Sequence, residues 1–422
     1  MMENKAIISL EQLTRDVVSS KSDLVRINKD VYAVIRPNEI LYVNRKDLDS
    51  FKEYFIPTRK ERERNELSVT FVPTLDCNLS CIYCYSRGGE QRDLMPPSMA
   101  RKFLEKSYNP EKHSGIHLRF AGGGEPFLNF ECINEATETA KKLNHTVSLH
   151  CITNGTFNGE HLFWILKEKP HMRISYDGIS QKIQRPYRFG GDSSEVIRRN
   201  IQYLTDNGIE TVVQSTITSL NVSRMRELVS EFHDLGIRTV KMEPVYITDN
   251  SRGNKKLNVS PSDFVLNFLD AIKYIRENNL DMQVDTAFFS RPTLGNYCNL
   301  STGNLILTPN GDISGCVEIT NSCDYHSRDV FYGKFDEDSG EVKFDESKKK
   351  YFGKFHFTNY KDCPSCNLKL ICRGGCPLRR VWNQEDHSCE ITKRLVPQLL
   401  RLFYEDSSYA CLLYTSPSPR DS

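Results

Sequence analysis

Three cysteines in one short segment are the residues of this chain best suited to chemistry. Cys77, Cys81 and Cys84 stand in Thr-Leu-Asp-Cys-Asn-Leu-Ser-Cys-Ile-Tyr-Cys-Tyr, with the spacing C-x3-C-x2-C. Thiolates spaced in this way can bind three irons of a [4Fe-4S] cube and leave the fourth iron open to a ligand that is not protein. A closed zinc site is the alternative, but structural zinc takes four protein ligands and no fourth Cys or His lies nearby. The segment therefore predicts an iron–sulfur cluster with one open iron.

The same segment closely resembles the cluster motif of the radical S-adenosylmethionine (SAM) enzymes. In that family the open iron binds the amino and carboxylate groups of SAM, and an electron from the cluster breaks the sulfonium S–C5′ bond. The resulting 5′-deoxyadenosyl radical takes a hydrogen from an unactivated carbon. The resemblance implies that Tyr83, just before the third cysteine, lies beside the adenine. The protein's share of such chemistry is binding and orientation, and the sequence assigns no catalytic residue.

A glycine-rich loop follows the predicted strand Ile116–Phe120 and reads Gly122-Gly-Gly-Glu-Pro126. Glycines at a strand end allow the backbone to approach a ligand closely. The loop resembles the Gly-Gly-Glu-Pro motif with which the family binds the amino group of SAM. The residues that match this motif are Gly123, Gly124, Glu125 and Pro126.

Weaker matches follow at the ends of later predicted strands. Thr153 begins a Thr-Asn-Gly that the resemblance places close to SAM, and Ser175 begins a Ser-Tyr-Asp-Gly whose serine contacts the SAM carboxylate. Arg188 aligns with an arginine that holds the same carboxylate, a task suited to a guanidinium because it is always charged and can bind bidentately. Arg185 is the fallback, and Met242-Glu-Pro244 aligns with backbone that frames the adenine. Ordinary loop polarity is the alternative for each.

A second group of cysteines lies towards the C-terminus. Cys298 is followed by Gly311 and Cys316, and a later run has the spacing C-x2-C-x5-C-x3-C, then one more cysteine. This pattern resembles the SPASM extension of radical SAM enzymes, which carries two auxiliary clusters; a zinc ribbon is the alternative. The resemblance assigns the first cluster to Cys298, Cys316 and Cys376, and the second to Cys363, Cys366, Cys372 and Cys389. The fourth ligand of the first is Cys323 or an open iron, since the position that some relatives use is Pro292 here. Cys132 and Cys151 fall inside helix and strand patterns and are expected to be buried.

Strand and helix patterns alternate between residues 67 and 245. Parallel neighbours need crossover connections, so this alternation predicts a parallel sheet, and ligands bind at the C-terminal ends of such strands. The resemblance makes the fold α/β, an open (β/α)6 partial TIM barrel followed by a small Cys-rich α+β SPASM domain. The predicted strands are Ser68–Val72, Ile116–Phe120, Val147–Thr153, Met172–Tyr176, Thr211–Thr218 and Thr239–Glu243. The predicted helices between them are Ser98–Ser107, Cys132–Leu143, Gly159–Lys167, Ser194–Asp206 and Ser223–Leu235.

The flanking regions are less distinctive. Residues 1–66 contain a predicted hairpin, Val31–Ile35 with Ile40–Val43, and a charged stretch at 58–65; they are a candidate peptide-binding element. We expect a radical SAM core at 67–245, a bridging region at 246–297 with a helix Pro261–Glu277, the SPASM domain at 298–395 and a C-terminal segment at 396–410. Residues 336–350 are expected to form an exposed hairpin or loop.

The last twelve residues, 411–422, can be back-translated into a string that resembles a sequencing adapter. We expect them to be an artefact, with the natural C-terminus missing, and exclude Cys411 from the ligand count. An ordinary Ser/Pro tail is the alternative.

Composition narrows the functional class. Charged residues make up 26%, hydrophobic residues 38%, and the net charge is +1, so no nucleic-acid or membrane surface is indicated. The first residues lack the basic start and long apolar stretch typical of a signal peptide, and no apolar run is long enough to span a bilayer. We therefore expect a cytoplasmic protein with reduced thiols.

The sequence favours a radical SAM enzyme that modifies a peptide or protein, with a ribosomally made peptide as substrate and a thioether or carbon–carbon crosslink as product. An anaerobic sulfatase-maturing enzyme, which makes formylglycine, is the runner-up. A non-catalytic iron–sulfur electron carrier is the alternative of another class, although such a carrier has no need of a SAM-binding loop. The expected partners are the substrate and an external electron donor such as a flavodoxin or ferredoxin.

Overall fold

The computed structural model describes residues 23–37, 39–48, 65–248, 251–290, 292–293, 295–382 and 387–413. The chain divides into two compact units. The larger unit contains Arg64–Val259 and Asn299–Gly353, and the smaller contains Met1–Glu63, Ser260–Cys298 and Lys354–Ser422. Most of the charged stretch at 58–65, and residues 414–422 of the C-terminal tail, lie outside the described residues.

Fourteen strands are numbered in chain order through the described ranges. They are β1 (Leu24–Arg26), β2 (Val31–Arg36), β3 (Glu39–Asn44), β4 (Glu66–Phe71), β5 (Gly115–Phe120), β6 (Val147–Thr153), β7 (His171–Ser175), β8 (Thr211–Ile217), β9 (Thr239–Pro244), β10 (Gln283–Asp285), β11 (Leu305–Leu307), β12 (Asp312–Ser314), β13 (Phe331–Asp336) and β14 (Glu341–Phe344).

The α-helices of the same ranges are numbered likewise. They are α1 (Pro97–Ser107), α2 (Phe130–Leu143), α3 (Gly159–Glu168), α4 (Gln181–Gln184), α5 (Ser194–Asp206), α6 (Met225–Asp234), α7 (Pro261–Glu277), α8 (Ser327–Val330), α9 (Glu346–Phe352), α10 (Lys369–Cys372), α11 (Pro377–Trp382), α12 (Ser388–Glu405) and α13 (Ser408–Leu413).

The larger unit is built on one sheet. Its strands β9-β8-β7-β6-β5-β4 are parallel, and β11 continues the sheet beside β4, followed by β12, β13 and β14. All six predicted core strands are present within two residues of the predicted ends, which confirms the α/β prediction. In β8, Val213 and Ile217 are buried while Gln214 and Thr216 between them are less so, the period-2 alternation of a strand with one covered face.

The antiparallel strands β12 to β14 extend this sheet in a way that the sequence did not predict. The charged segment expected as a hairpin or loop is the β13–β14 hairpin, closed by the register Asp336↔Glu341 and followed by α9. Residues 299–353 therefore belong to the same unit as the parallel strands, whereas the cysteine-rich run from 354 onward belongs to the smaller unit.

The smaller unit contains the N-terminal sheet and the two long helices α7 and α12. The predicted hairpin is confirmed as β2–β3, with Ile35 opposite Ile40, and β1 adds a third antiparallel strand that was not predicted. Helix α7 has the predicted bounds because Ser260 caps it, accepting from Asp263 N at 3.0 Å. It packs against α12 along its apolar side. In the described ranges no helix is long and apolar enough to cross a bilayer.

Candidate iron–sulfur site

The three cysteines of the C-x3-C-x2-C segment lie in the loop that follows β4, the first parallel strand. Burial raises the pKa of Cys77 well above its ordinary value, and the neighbouring thiolate of Cys81 raises it further. Burial also raises the pKa of Cys81 to about 11, although the positive charge of Arg185 opposes this, and the charge of Cys84 contributes. Cys81 and Cys84 thus lie close enough to Cys77 to influence its ionisation. Iron binding would replace their protons, as it does for any thiolate ligand.

Each of the three sulfurs has a polar hydrogen nearby. Such N–H···S contacts favour thiolate and tune an iron–sulfur cluster, so the donor set fits the group that the sequence predicts. The contacts are Gly88 N to Cys84 Sγ at 3.3 Å, Asn154 Nδ2 to Cys77 Sγ at 3.9 Å, and an Arg185 guanidinium nitrogen to Cys81 Sγ at 3.9 Å.

In the described part of the chain no three His, Cys, Asp or Glu side chains are gathered around a single-ion position. The thiolates of a [4Fe-4S] cube bind separate irons, so their sulfurs lie further apart than the ligands of a single metal ion. The fourteen cysteines form no disulfide, and Cys132 and Cys151 are buried in α2 and β6 as predicted.

The backbone of the glycine-rich loop after β5 is hydrogen-bonded to the loop that contains Cys77, Cys81 and Cys84, which we call the cluster loop. Glu125 N donates to the carbonyl of Asp76 at 2.7 Å, and the Ser86 hydroxyl donates to the carbonyl of Gly123 at 2.5 Å. A Cβ at Gly124 would lie 1.7 Å from the Asp76 carbonyl oxygen, so only glycine fits there. The two loops therefore hold each other at the C-terminal ends of β4 and β5.

The Glu125 carboxylate is buried and already has three donors. The Thr153 hydroxyl donates to Oε1 at 2.6 Å, Asn154 N to Oε2 at 2.7 Å, and Phe127 N to Oε1 at 3.2 Å. Burial outweighs these bonds and raises the pKa of Glu125 to about 7. A carboxylate offers about four acceptor positions, so roughly one remains for a ligand ammonium. Thr153, predicted to lie near SAM, acts here by orienting Glu125.

Asp177 is the centre of a second buried network that sequence reasoning missed. Its carboxylate accepts from Arg185 Nε at 3.0 Å, Gln184 Nε2 at 2.8 Å and Thr216 N at 2.8 Å, and also from the Tyr83 hydroxyl. The Arg185 guanidinium also lies 5.2 Å from the centroid of the Tyr83 ring. Tyr83 is thus held between Asp177 and Arg185. An acid directly after a predicted strand, in Ser-Tyr-Asp-Gly, was the available signal.

Arg188 lies on the cluster loop. Its guanidinium bonds the Asp76 carboxylate and the Cys77 carbonyl, and its backbone N donates to the carbonyl of Asn78 at 2.9 Å. Gly89 leaves the space that this guanidinium fills, because a Cβ there would collide with it. Arg188 therefore braces the cysteine segment in this structure, and its predicted contact with the SAM carboxylate stays a prediction.

The remaining predicted contacts lie at the same ends of the strands. Ser175 is the last residue of β7 and is paired in register with Gln214 of β8. Met242-Glu-Pro244 ends β9, where Lys241 Nζ lies 3.3 Å from Glu243 Oε1. The sheet thus brings all the sequence-predicted SAM residues to one end of the parallel strands.

Arg252 is a further contact of the cluster loop that the sequence did not reveal. Its backbone N donates to the Cys84 carbonyl at 2.9 Å. Its guanidinium donates to the Ser80 hydroxyl at 3.2 Å, the Gly88 carbonyl at 3.3 Å and the Glu90 carboxylate at 3.4 Å. An Arg-Gly pair in a polar segment after β9 carries no recognisable signal, so only the structure identifies it.

Four C-terminal thiols come together in the smaller unit. Burial is the main cause that raises the pKa of Cys363 and brings that of Cys372 to about 11. Each of these two thiols is also affected by the charges of Cys366 and Cys389, so the four lie near one another. They are the set that the sequence assigned to the second auxiliary cluster.

Two residues assigned to the first auxiliary cluster lie in the same unit. Burial raises the pKa of the Tyr360 hydroxyl, and the charges of Cys298 and Cys376 add to this effect. Both thiols therefore lie near Tyr360. The Arg380 guanidinium lies over the Tyr360 ring, 4.8 Å from its centroid.

Cys316 belongs to the larger unit, where it lies next to Val317, a neighbour of the glycine-rich loop. Burial, then the charge of Glu318, and then Cys84 and Cys316 raise the pKa of Tyr85, which places the Tyr85 hydroxyl near both cysteines. The Val317 side chain packs on Gly122 of the glycine-rich loop, where a Cβ would lie 2.8 Å from it. Cys323, the candidate fourth ligand, is exposed on a loop.

In the larger unit, a three-thiol loop follows the first parallel strand, β4, and a Gly-Gly-Glu-Pro loop follows the second, β5. Residues 71–229 match the radical SAM superfamily, so this part of the chain is similar to a radical SAM domain. Radical SAM domains use a [4Fe-4S] cluster and SAM, and the match supports an enzyme.

Two curated relatives extend the similarity. The serine-type anaerobic sulfatase-maturating enzyme of Klebsiella aerogenes is 20% identical over 319 residues, 71% of this chain and 77% of that protein. The antilisterial bacteriocin subtilosin biosynthesis protein AlbA of Bacillus subtilis is 21% identical over 257 residues. That match covers 59% of this chain and 54% of AlbA, so the chain spans about half of AlbA's length.

Two solved structures share the fold. Native anSMEcpe with bound AdoMet and Cp18Cys peptide superimposes with a TM-score of 0.64 at 17% identity, covering 82% of this chain and 99% of that one. Streptococcus suis SuiB bound to the precursor peptide SuiA gives 0.56 at 15% identity, covering 89% and 100%. The predicted fold class is confirmed.

Proposed function

We propose that this chain is a radical SAM enzyme that installs a thioether or carbon–carbon crosslink in a ribosomally made peptide. The observation that carries the proposal is the occurrence in one chain of a three-thiol loop beside Glu125 and a separate group of four thiols around Cys363. The names of AlbA, a bacteriocin biosynthesis protein, and of SuiB bound to the precursor peptide SuiA support the substrate class.

Residues of the larger unit would hold the cluster and SAM. Cys77, Cys81 and Cys84 would bind three irons, and the remaining acceptor position of Glu125 would take the SAM ammonium. When bound and reduced, the cluster and SAM together supply a 5′-deoxyadenosyl radical that takes a hydrogen from the substrate. Tyr83, locked by Asp177, would form a fixed wall for the adenine because its hydroxyl cannot rotate away without losing a buried bond.

The cysteines outside the core would hold the two auxiliary clusters. Cys363, Cys366, Cys372 and Cys389 supply a complete set for one cube. The sequence resemblance assigns Cys298, Cys316 and Cys376 to the other cluster, with Cys323 or an open iron as the fourth position. When present, these clusters supply an acceptor for the electron that remains after hydrogen abstraction.

Sulfatase maturation is the second candidate, in which a Ser or Cys side chain becomes formylglycine. It is favoured by the superposition on anSMEcpe, whose TM-score of 0.64 exceeds the 0.56 for SuiB. The identity of 17% limits this likeness to the fold. The two reactions can be separated by their products.

The N-terminal sheet β1–β3 is a candidate peptide-binding element, since an extended peptide can add a strand to a sheet edge. We place the enzyme in the cytoplasm, where a flavodoxin or ferredoxin can supply electrons and the open cluster is protected from oxidation.

The experiment is anaerobic reconstitution followed by reduction with SAM in the presence of peptides encoded near the gene. Formation of 5′-deoxyadenosine together with a peptide that has lost two hydrogens and shows no aldehyde supports the crosslinking proposal. A product that reacts with a hydrazide probe would instead indicate formylglycine. Absence of 5′-deoxyadenosine under every condition would contradict both.

A further inference from the structure

A buried cation lies against the cluster loop. Arg185 directly follows α4, and its side chain is only 9% exposed. One terminal nitrogen of its guanidinium lies 3.9 Å from the sulfur of Cys81. The other terminal nitrogen donates to Thr216 Oγ1 at 3.3 Å, and Nε donates to Asp177 Oδ2 at 3.0 Å. Contacts on three sides therefore hold the guanidinium beside the sulfur.

The backbone places this cation opposite its cysteine. The residues that precede and follow the arginine are hydrogen-bonded to the residues that follow and precede the cysteine. Ile82 N donates to Gln184 O at 2.9 Å, and Ser80 N donates to Pro186 O at 2.8 Å. The separation of charge and sulfur is therefore fixed by two backbone bonds as well as by the side-chain contacts. A substitution at position 185 can remove the charge and leave these backbone bonds in place.

The ion pair of Arg185 and Asp177 has a net effect on the Cys81 sulfur. Burial raises the pKa of Cys81, and the charge of Arg185 opposes this rise more strongly than the charge of Asp177 adds to it. The charge of Cys84 also raises this pKa, and that of Arg252 lowers it. The pair as a whole therefore stabilises negative charge on the sulfur. Because the pair is buried, its effect is screened less by water than that of a surface charge.

A charge at this position matters for the reduction of an iron–sulfur cluster. Reduction adds one electron, and the potential at which it occurs depends on the net charge around the cluster and on the contacts of its sulfurs. A fixed positive charge beside a ligand sulfur favours the reduced form and raises the potential. A negative charge in the same place has the opposite effect. The signs of the two charges therefore predict the direction in which each one shifts the potential.

We propose that Arg185 raises the reduction potential of the cluster bound at the cluster loop, and that Asp177 limits this rise. Arg185 acts through the Cys81 sulfur and is therefore a positioning residue. The inference rests on the proposed function, since it requires a cluster at these cysteines. The step concerned is the transfer of one electron: an external donor is oxidised by one electron as the cluster is reduced by one, and no bond is formed or broken. The higher potential allows a weaker reductant to supply this electron.

The test is an anaerobic redox titration of the reconstituted holoenzyme, followed by electron paramagnetic resonance. Dithionite with mediator dyes supplies the electrons, and the relevant signal is the one that Cys77→Ala/Cys81→Ala/Cys84→Ala lacks. Arg185→Gln should lower the midpoint potential of this signal, because it removes the positive charge and leaves Asp177 with its other donors. The equilibrium constant for reduction should fall at least about tenfold, which corresponds to about 59 mV for a one-electron couple.

The partner of the ion pair provides a second variant with the opposite expectation. Asp177→Asn should raise the midpoint potential, because it removes the negative charge and keeps the shape of the side chain. A purely structural role would not give shifts of opposite sign, since both substitutions break the same ion pair. Arg185→Lys keeps the charge and should recover part of the wild-type potential. Arg198→Gln is the matched control, because Arg198 is paired with Glu231 and is half exposed, and its potential should equal that of wild type.

Three outcomes would overturn this inference. Unchanged potentials in Arg185→Gln and Asp177→Asn, with iron content intact, would limit the ion pair to a structural role. Shifts in the same direction would indicate that water reaches the cluster in both variants. A higher Kd for SAM in Arg185→Gln without a change in potential would make Arg185 a contact of the SAM carboxylate. If Arg185→Gln fails to retain iron, Asp177→Asn and Arg185→Lys decide the question by the same signs. Wild-type protein without a signal that depends on the three cysteines would refute the proposed function instead.

Discussion

Arg185 and Asp177 form a buried ion pair, with Arg185 Nε 3.0 Å from Asp177 Oδ2. The same guanidinium lies 3.9 Å from Cys81 Sγ, and the same carboxylate accepts from the Tyr83 hydroxyl. Two residues of the cysteine segment are therefore positioned by one pair of opposite charges from the loop after β7. A buried pair of this kind is costly to break from one side, because the remaining charge is left without a partner.

Asp177→Ala should destabilise the larger unit strongly. Removing one member of a buried pair typically costs about 3–5 kcal/mol. We expect a lower melting temperature and faster proteolysis of the apo-protein, whereas Asp338→Ala, at an exposed turn, should change stability by less than about 0.5 kcal/mol. Equal behaviour of the two variants would show that the Asp177 network does not hold the loop.

SAM affinity should depend on pH through Glu125. Because burial raises its pKa to about 7, the carboxyl is largely protonated at pH 6 and largely ionised at pH 7.5. Only the ionised form attracts the SAM ammonium, so the Kd for SAM should rise several-fold, on the order of fivefold to tenfold, as the pH falls over this range. Equilibrium dialysis would measure it.

Glu125→Gln should bind SAM weakly and with no such pH dependence, while Glu131→Gln, on the exposed side of α2, should behave as wild type. If the Kd for SAM depended on pH equally in wild type and Glu125→Gln, Glu125 would not bind the SAM ammonium.

Arg252→Ala should weaken retention of the cluster. The substitution removes side-chain bonds to Ser80, Gly88 and Glu90, all on or next to the cysteine loop, and leaves only the backbone bond to Cys84. A chelator should therefore remove iron on the order of tenfold faster. That factor corresponds to the loss of one or two hydrogen bonds worth about 1 kcal/mol each. Arg252→Lys should be intermediate and Lys256→Ala, exposed in the same segment, should match wild type. Identical chelation rates would mean that Arg252 contacts the loop without stabilising it.

The fold was largely predictable because its signals are local. Strand β8 is visible in the sequence as an alternation of apolar and polar residues, and the start of α7 as the N-cap Ser260 followed by Pro261. Both elements lie where predicted. The addition of β11 beside β4 was not predictable, since three-residue strands separated from β4 by more than 200 residues carry no local pattern. Neither was the division of the cysteine-rich region between two units.

The site was predictable where a motif contains the ligand itself. Cys77 and Glu125 stand in such motifs, whereas Asp177 and Arg252 act on the motif residues from other loops. Their roles depend on side-chain packing between segments that are distant in sequence. For Arg188 the motif identified a residue at the site, and the structure adds bonds to Asp76 and Cys77 that the motif did not predict.

The second group of thiols should matter for product rather than for SAM cleavage. Cys363→Ala/Cys366→Ala removes two of the four neighbouring thiols, and these lie in the smaller unit. We expect 5′-deoxyadenosine formation to persist while the yield of modified peptide falls at least about tenfold, because the auxiliary clusters are proposed to accept the remaining electron. Cys132→Ala, a buried thiol outside both sets, is the control for loss of a cysteine. A normal yield of modified peptide from the double variant would mean that this cluster has only a structural role.

The central claim is that the Cys77–Cys84 loop holds a cluster that cleaves SAM. The most direct measurement is 5′-deoxyadenosine formed by anaerobically reconstituted, reduced protein, compared with a Cys77→Ala/Cys81→Ala/Cys84→Ala variant. Wild type should form it and hold about twelve irons if all three cubes are present, and the variant should form none and hold about four fewer. Unchanged iron content and continued SAM cleavage in the variant would contradict the account.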